Sequence, residues 1–510
     1  MTERFYVTTP IYYVNGAPHI GHAYTSVAAD VLARWHRLAG REVFFLTGTD
    51  EHGQKVEKAA HDAGLPPQAF VDQVAAQFQA MSALMGLSND DFIRTTEPRH
   101  KLACQALWRC LMQSGDIYLG HYEGWYAVRD EAFYDEAELV TRPDGTRAAP
   151  TGAPVEWVRE PSYFFRLSAW GDRLLALYEQ VPDFVQPSSR RNEVMSFVRS
   201  GLNDLSISRT SFTWGIPVPD DPGHVMYVWL DALTNYLSAV GYPDEASARW
   251  PFWPPNVQLV GKDIIRFHAV IWPALLMAAG LPVPRTVFSN GWWTADGEKM
   301  SKSLGNAIDV VKLVETYGLD PVRYFLLREV PFGNDGDYSD AALVRRMNVE
   351  LANDLGNLAQ RTLSQVAKNC GGAVPRSGLA TPEDAALLAD AGALAGKIGG
   401  HLARVAFGDA LEEAWRVIRA ANAYIDHQAP WALRKTDPDR MATVLGVLAE
   451  VIRTVATVLQ PFMPGSMARM LDQLGVPTAA RSLSALATPL PAGTPLPPPQ
   501  GVFPRYVEAA

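Results

Sequence analysis

Cysteine is scarce: Cys104, Cys110 and Cys370 are the only three in 510 residues. Three thiols form no even disulfide framework, which excludes a stapled secreted scaffold and points to a reducing compartment. The first ten residues, MTERFYVTTP, lack the basic and apolar regions of a signal peptide, so a cytoplasmic location is expected. Long hydrophobic runs are missing as well. The longest nearly apolar stretch, residues 267–281, is shorter than a bilayer span and is interrupted by His268 and Pro273. It reads as a buried helix, and no membrane partner is expected. Positive charge is in deficit, with 45 Lys and Arg against 55 Asp and Glu and a net charge of -10. A partner made of phosphates would have to be met by local patches. Arg190-Arg191 with Arg199, and Arg345-Arg346 with Arg361 and Lys368, are the candidates. No internal repeat is found.

What the chain does have is apolar residues, 48% of it, enough at this length for about two to four domains. Residues 4–14 (RFYVTTPIYYV) read as a β-branched and aromatic strand, and Asn15-Gly16-Ala17-Pro18 turns the chain. Tyr24, Val27, Ala28, Val31, Leu32, Trp35 and Leu38 then recur at helical spacing, with Gly40 placed as a C-cap. Residues 42–47 (EVFFLT) make a second buried strand. This alternation over 1–115 predicts a parallel α/β sheet. From 116 to 225 the texture changes to short aromatic strands broken by Gly, Pro and Asp, which predicts an inserted domain. The α/β texture resumes over 226–325. Beyond Asp340, apolar residues at helical spacing predict helices over 341–369, 383–404, 409–427 and 438–459. Residues 488–503 (TPLPAGTPLPPPQGVF) are too rich in proline for regular structure and read as a surface arm or a tail.

Two short stretches carry chemistry. Pro18-His19-Ile20-Gly21-His22 opens the first helix, where unpaired backbone N–H groups and the positive dipole end favour phosphate. The three-residue step puts both imidazoles on one side. Lys299-Met300-Ser301-Lys302-Ser303, bracketed by Asp296-Gly297 and Gly305-Asn306, reads as an exposed loop, its two lysines one helical-turn spacing apart. In this order the two resemble the HIGH and KMSKS signatures of class I aminoacyl-tRNA synthetases. The resemblance implies an α/β fold: a Rossmann-like parallel sheet split by an inserted connective domain and followed by an all-α anticodon-binding bundle. The catalytic halves would be 1–115 and 226–325, the insertion 116–225, the stem-contact region and bundle 326–464, and a C-terminal helix with the proline-rich arm 465–510. ATP with Mg²⁺ is the implied substrate, held by His19, Gly21, His22, Lys299, Ser301 and Lys302, with Gly21 leaving room for adenine. His19, His22, Lys299 and Lys302 would be the catalytic groups, acting by position and electrostatics rather than through a covalent intermediate.

The flanking residues narrow the family. Thr9-Pro10-Ile11-Tyr12-Tyr13-Val14-Asn15-Gly16, Tyr227-Val228-Trp229-Leu230-Asp231-Ala232 and Gly261-Lys262-Asp263-Ile264-Ile265-Arg266-Phe267-His268 resemble methionyl-tRNA synthetases, and the resemblance runs from residue 4 to 464. It implies a methionine pocket of Ile11, Tyr13, Trp229, Ala232, Tyr236, Ile264, His268 and Trp272, a lining suited to an unbranched, polarizable thioether. Asp50 would meet the substrate ammonium from a strand end, where open α/β sheets bind ligands. Gly261 and Asp263 would serve the ATP ribose. Asn357 and Arg361, one helical turn apart, would read the anticodon together with Trp431 by hydrogen bonding and stacking on unpaired bases. The implied partners are L-methionine, ATP and methionine tRNA, both initiator and elongator.

The sequence also departs from that family. Leu233 stands where some members have proline. Many members carry zinc knuckles of paired Cys-x-x-Cys in the insertion, but here Ala127 and Asp130 occupy the first pair's places, and 139–157 hold no Cys or His. A closed zinc site needs four N or S ligands, so no metal is expected, and the insertion should rest on an aromatic core including Trp125, Phe133, Tyr134 and Trp157. Isoleucyl, valyl and leucyl enzymes carry a large editing insertion, for which the interval from His19 to Lys299 leaves no room. A cysteinyl enzyme would want zinc-binding thiols at its site, and a nucleotidyltransferase independent of tRNA would lack the helical half. A non-catalytic paralogue is disfavoured by the charges both motifs retain. The missing C-terminal RNA-binding module makes a monomer the expectation.

Overall fold

A computed structural model describes residues 3–130, 132–134, 136–295, 298–299, 308–376 and 378–507. Its centre is a six-stranded sheet of β1 (Arg4–Tyr13), β2 (Glu42–Asp50), β3 (Asp91–Arg94), β4 (Val185–Gln186), β5 (Val257–Gly261) and β6 (Val287–Asn290). All neighbours run parallel, in the order β3-β2-β1-β5-β6-β4. This is the Rossmann-like sheet that the sequence predicts. β1 is buried from Phe5 through Pro10, the continuous burial of a strand covered on both faces. The strand order reverses between β1 and β5, and such a switch point opens a crevice at the carboxyl ends of the strands.

Helix α1 (Ile20–Leu38) follows β1 and buries the predicted stripe of Tyr24, Val27, Ala28, Val31, Leu32 and Trp35. Gly40, at φ +83°, takes the left-handed conformation just past its end. α2 (Pro98–Gln113) and α3 (Val228–Ser238) cover the other side of the sheet. Between them, Ile117–Ala127 and Glu156–Phe165 form an antiparallel pair that carries the insertion.

Two sequence expectations for 116–225 need correction. Residues 171–199 are not aromatic strands: Gly171–Gln180 and Ser188–Arg199 are helices flanking β4, and they return the chain to the edge of the parallel sheet. The pairs Leu174/Tyr178 and Val194/Val198, buried at i, i+4 spacing, are the helical signal. Nor, among the described residues, is the tip held by a closed aromatic core. Trp157 is 54% exposed and meets Trp125 only edge-on at 5.4 Å. Ala127, Ala149 and Ala153 pack together instead, with Tyr134 against them; the side chain of Phe133 lies outside the described residues.

The C-terminal half is helical, including α4 (Leu319–Arg328), α5 (Asn357–Asn369) and α6 (Pro438–Leu459). The helix expected over 341–369 contains a π-helical stretch, Met347–Gly356, ahead of α5. α6 is long and apolar enough to cross a membrane, yet it is the buried core of the bundle. The apolar run near 267–281 is likewise buried, as a π turn followed by Trp272–Ala278. The proline-rich segment is an arm rather than a tail: Gly493 N–H donates to Val374 O and Leu496 N–H to Gly372 O, both at 2.8 Å, and Val502 and Phe503 are buried.

One arginine joins the halves. Arg323 on α4, fully buried, donates to Asp30 of α1 at 2.7 Å, to Met85 O and Phe462 O at 3.0 Å, and to Pro461 O at 2.8 Å.

Candidate active site

A cavity of about 360 Å³ opens at the β1/β5 switch point. Its walls are the end of β1 (Pro10, Ile11, Tyr12, Tyr13), the start of α1 (His19 to His22, and Thr25), the turn after β5 (Gly261, Asp263, Ile264) and the residues after β6 (Asn290 to Trp293). The cavity thus gathers His19, Gly21, His22, Gly261 and Asp263 from the predicted nucleotide set, with Ile11, Tyr13 and Ile264 from the predicted methionine set.

The two histidines form a reciprocal cap on α1. His19 Nδ1 accepts from Gly21 N–H, and His22 Nδ1 accepts from His19 N–H, both at 3.1 Å. Their ring centroids are 3.9 Å apart. A side chain at Gly21 would meet the His19 ring at 3.0 Å, a tight contact that the glycine spares the cap. At Gly261 a Cβ would fall 2.5 Å from Asp263 Oδ1, so the glycine lets that carboxylate sit against the end of β5. Trp292 Nε1 donates to the same Oδ1 at 3.2 Å. Lys262 lies 4.0 Å from the centre of the Trp292 ring and pairs with Asp335 at 2.6 Å.

The remaining predicted methionine residues do not line this cavity; they pack beside it. Asp50 ends β2 beside Tyr13 of β1 and is 7% exposed. Trp229, Ala232 and Tyr236 all lie on α3, where Trp229 stacks on Phe267 with centroids 3.4 Å apart. Tyr236 OH lies 2.8 Å from His268 Nε2, and His268 Nδ1 lies 3.1 Å from Ile264 O. Only a ring nitrogen bearing a proton can bond a carbonyl, so His268 donates from Nδ1 and accepts the tyrosine hydroxyl at Nε2. Burial pushes its pKa down to about 4, which keeps it neutral. Trp272 is fully buried.

Of the KMSKS residues, Ser301 and Lys302 lie outside the described residues. The backbone of Lys299 pairs antiparallel with Thr294, on a strand that begins at the cavity wall, at Trp293. In the bundle, Asn357 opens α5, and Arg361, one turn on, holds its guanidinium 5.3 Å from the centre of the Trp431 ring. Trp431 is 45% exposed, and Arg361 pairs with Asp426 at 2.5 Å. In the insertion, Asp130 accepts from the hydroxyls of Tyr134 and Thr151, and Ala127 sits in the alanine cluster.

Sequence reasoning missed Thr25, Asn290, Trp292, Trp293 and the Trp229 partner Phe267. Thr25 follows His22 at helical spacing and donates to Asn290 at 3.2 Å. Asn290-Gly291 at a strand end was the available signal for Asn290, Trp292 and Trp293: a Cβ at Gly291 would lie 2.1 Å from Asn334 O, marking a close backbone approach.

Residues 5–363 match the family model described as tRNA synthetases class I (M), and residues 374–509 match the anticodon binding domain of methionyl tRNA ligase. A methionine–tRNA ligase of Mesorhizobium japonicum is 57% identical, over 99% of this chain and 98% of its own. One of Rickettsia bellii is 55% identical over 100% of both chains. The solved Mycobacterium tuberculosis methionyl-tRNA synthetase in complex with methionyl-adenylate has a TM-score of 0.96 at 53% identity, covering 99% of this chain and 100% of that one. With the switch-point cavity, its histidine cap and the helical bundle in place, the chain belongs to the methionyl-tRNA synthetase family of class I ligases.

Proposed function

We propose that the cavity at the β1/β5 switch point is where the chain activates L-methionine with ATP, before the methionyl group passes to the 3′ end of methionine tRNA, initiator and elongator alike. The observation that carries this assignment is the histidine cap. Because His19 and His22 both accept at Nδ1, each neutral ring bears its proton on Nε2, a donor for phosphate oxygens at the helix N-terminus. Lys302, with Lys299 second, meets the charge that develops on pyrophosphate, and Ser301 assists from the same loop. Mg²⁺ enters with ATP as part of the substrate. Gly261 and Asp263 hold the ribose, and Gly21 lies under adenine.

Asp50 receives the substrate ammonium. The neutral His268, bonded to Tyr236, closes an otherwise apolar pocket with Ile11, Tyr13, Trp229, Ala232, Ile264 and Trp272, so that the thioether meets no charge. Asn357, Arg361 and Trp431 take the anticodon, with the indole and guanidinium offering a stacking platform. The insertion is zinc-free: an alanine and a hydrogen-bonded aspartate at the knuckle positions are not a thiolate donor set, and metal analysis should find no stoichiometric zinc. The enzyme is a cytoplasmic monomer without membrane contact. ATP–pyrophosphate exchange measured with each of the twenty amino acids should give methionine as the best substrate, and any other winner overturns the pocket assignment.

A further inference from the structure

The turn that follows Asp50 at the end of β2 is pinned at two successive residues. Glu51, fully buried, accepts from the Arg94 guanidinium at 2.6 and 3.0 Å and from the Thr49 hydroxyl at 2.6 Å. His52, also buried, holds Nδ1 2.6 Å from Asp231 Oδ2. The other oxygen of Asp231 lies 2.8 Å from Nε2 of His100 on α2, whose Nδ1 lies 2.9 Å from the hydroxyl of Ser238. Asp231 and Ser238 both belong to α3, the helix that carries Trp229, Ala232 and Tyr236. One carboxylate, 1% exposed, therefore binds three elements together.

The chemistry of this cluster is that of a hydrogen-bonded unit. Burial works to raise the Asp231 pKa, yet the His52 and His100 imidazoles outweigh it and hold the carboxyl well below its usual range. An ionised carboxylate only accepts, so both imidazoles donate to it in charge-assisted bonds. His100, Cys104 and Asp231 also bring ligand-type atoms within 4.8 Å of one another. Ligands about 2.1 Å from a tetrahedral zinc sit roughly 3.4 Å apart, whereas His100 Nε2 stands 2.8 Å from the Asp231 carboxylate, the spacing of a direct bond.

We propose that Asp231 is a positioning residue for the amino-acid substrate: through His52 it fixes the distance between the Asp50 carboxylate and the side-chain pocket on α3. Ammonium and thioether are then read by one rigid template. The proposal rests on Asp50 receiving the ammonium. A displacement of about 1 Å in a positioning group can cost about 100-fold. Here the loss should fall on methionine, because the nucleotide residues stand on α1 and at the end of β5.

Methionine-dependent exchange by Asp231→Asn and His52→Ala tests it. The KM for methionine should rise about tenfold or more while the KM for ATP stays within about twofold. His52→Asn, whose amide N–H replaces Nδ1–H, should restore most of the loss, a rescue that a merely space-filling role does not predict. An unchanged methionine KM in both variants, an equal rise in both KM values, or a fall in kcat alone that tracks melting temperature overturns the proposal. If Asp231→Asn does not fold, the two His52 variants decide. Zinc held by the wild type and lost from Asp231→Asn also overturns it. Asp50→Asn keeps the two ideas apart: an unchanged methionine KM there overturns the ammonium assignment, while a raised one beside silent Asp231 and His52 variants overturns only the positioning role.

Discussion

Asparagine and glutamine at position 22 separate the two nitrogens of that histidine. Nδ1 accepts from the His19 backbone at 3.1 Å, and the proposed phosphate contact falls to Nε2. His22→Asn places an oxygen near the Nδ1 position and has nothing at Nε2. Its exchange rate should fall about 100-fold or more, with an unchanged melting temperature. His22→Gln does the reverse, keeping more activity while giving up about 1 kcal/mol of helix capping, and activity beside denaturation checks both. His268 gives a residue-scale pH dependence. Its folded pKa, about 4, lies below the ordinary value near 6.5, so the unfolded chain binds the proton more readily. The stability of the neutral ring is complete above pH 6.5 and is lost as pH falls toward 4. Between pH 7 and 5 that loss is about 2 kcal/mol, and His268→Gln should flatten the fall in melting temperature over this range by a matching amount.

Three elements meet on Arg323. Arg323→Met would leave Asp30 buried with one guanidinium fewer, and it would strand the carbonyls of Met85, Pro461 and Phe462. Breaking one side of a buried pair costs about 3 to 5 kcal/mol, to be read from the denaturation midpoint. Adding Asp30→Asn should cost less than the sum of the two single changes, because the second removes the charge that the first exposes. None of this was legible in the sequence, where Arg323 is one residue in Tyr317 to Tyr324 and its partners stand at 30, 85, 461 and 462. Helix α1 was legible from its apolar spacing, its terminal glycine and the turn before it, all of them local signals. The two-residue β4 was not, since its place at the sheet edge is set by β6 rather than by its own residues. The site divides in the same way. The HIGH turn and Gly261 with Asp263 were readable as local motifs, while Trp292 reaches Asp263 only because residues 332–336 fold against Gly291.

At the scale of the whole molecule, a net charge of -10 must be reconciled with a polyanionic partner. The proposed anticodon trio offers a way: Arg361 is held at an exposed tryptophan by Asp426, in a pair of which the aspartate side chain is 63% exposed. Such a surface pair is worth at most about 1 kcal/mol and is weakened by salt, so under the proposed anticodon role RNA would displace Asp426 at little cost and gain both the cation and the indole. If adenylate forms in the sheet crevice and charging needs the bundle too, as proposed, the two reactions should respond differently to the same change. Stacking on an aromatic is worth about 1 to 3 kcal/mol per base. Trp431→Ala should therefore lower kcat/KM for tRNA about 10- to 100-fold and leave ATP–pyrophosphate exchange within about twofold of wild type. Raising potassium chloride from about 50 to 200 mM should likewise depress charging far more than exchange. Equal loss of both reactions in Trp431→Ala would place Trp431 in the scaffold rather than on the tRNA.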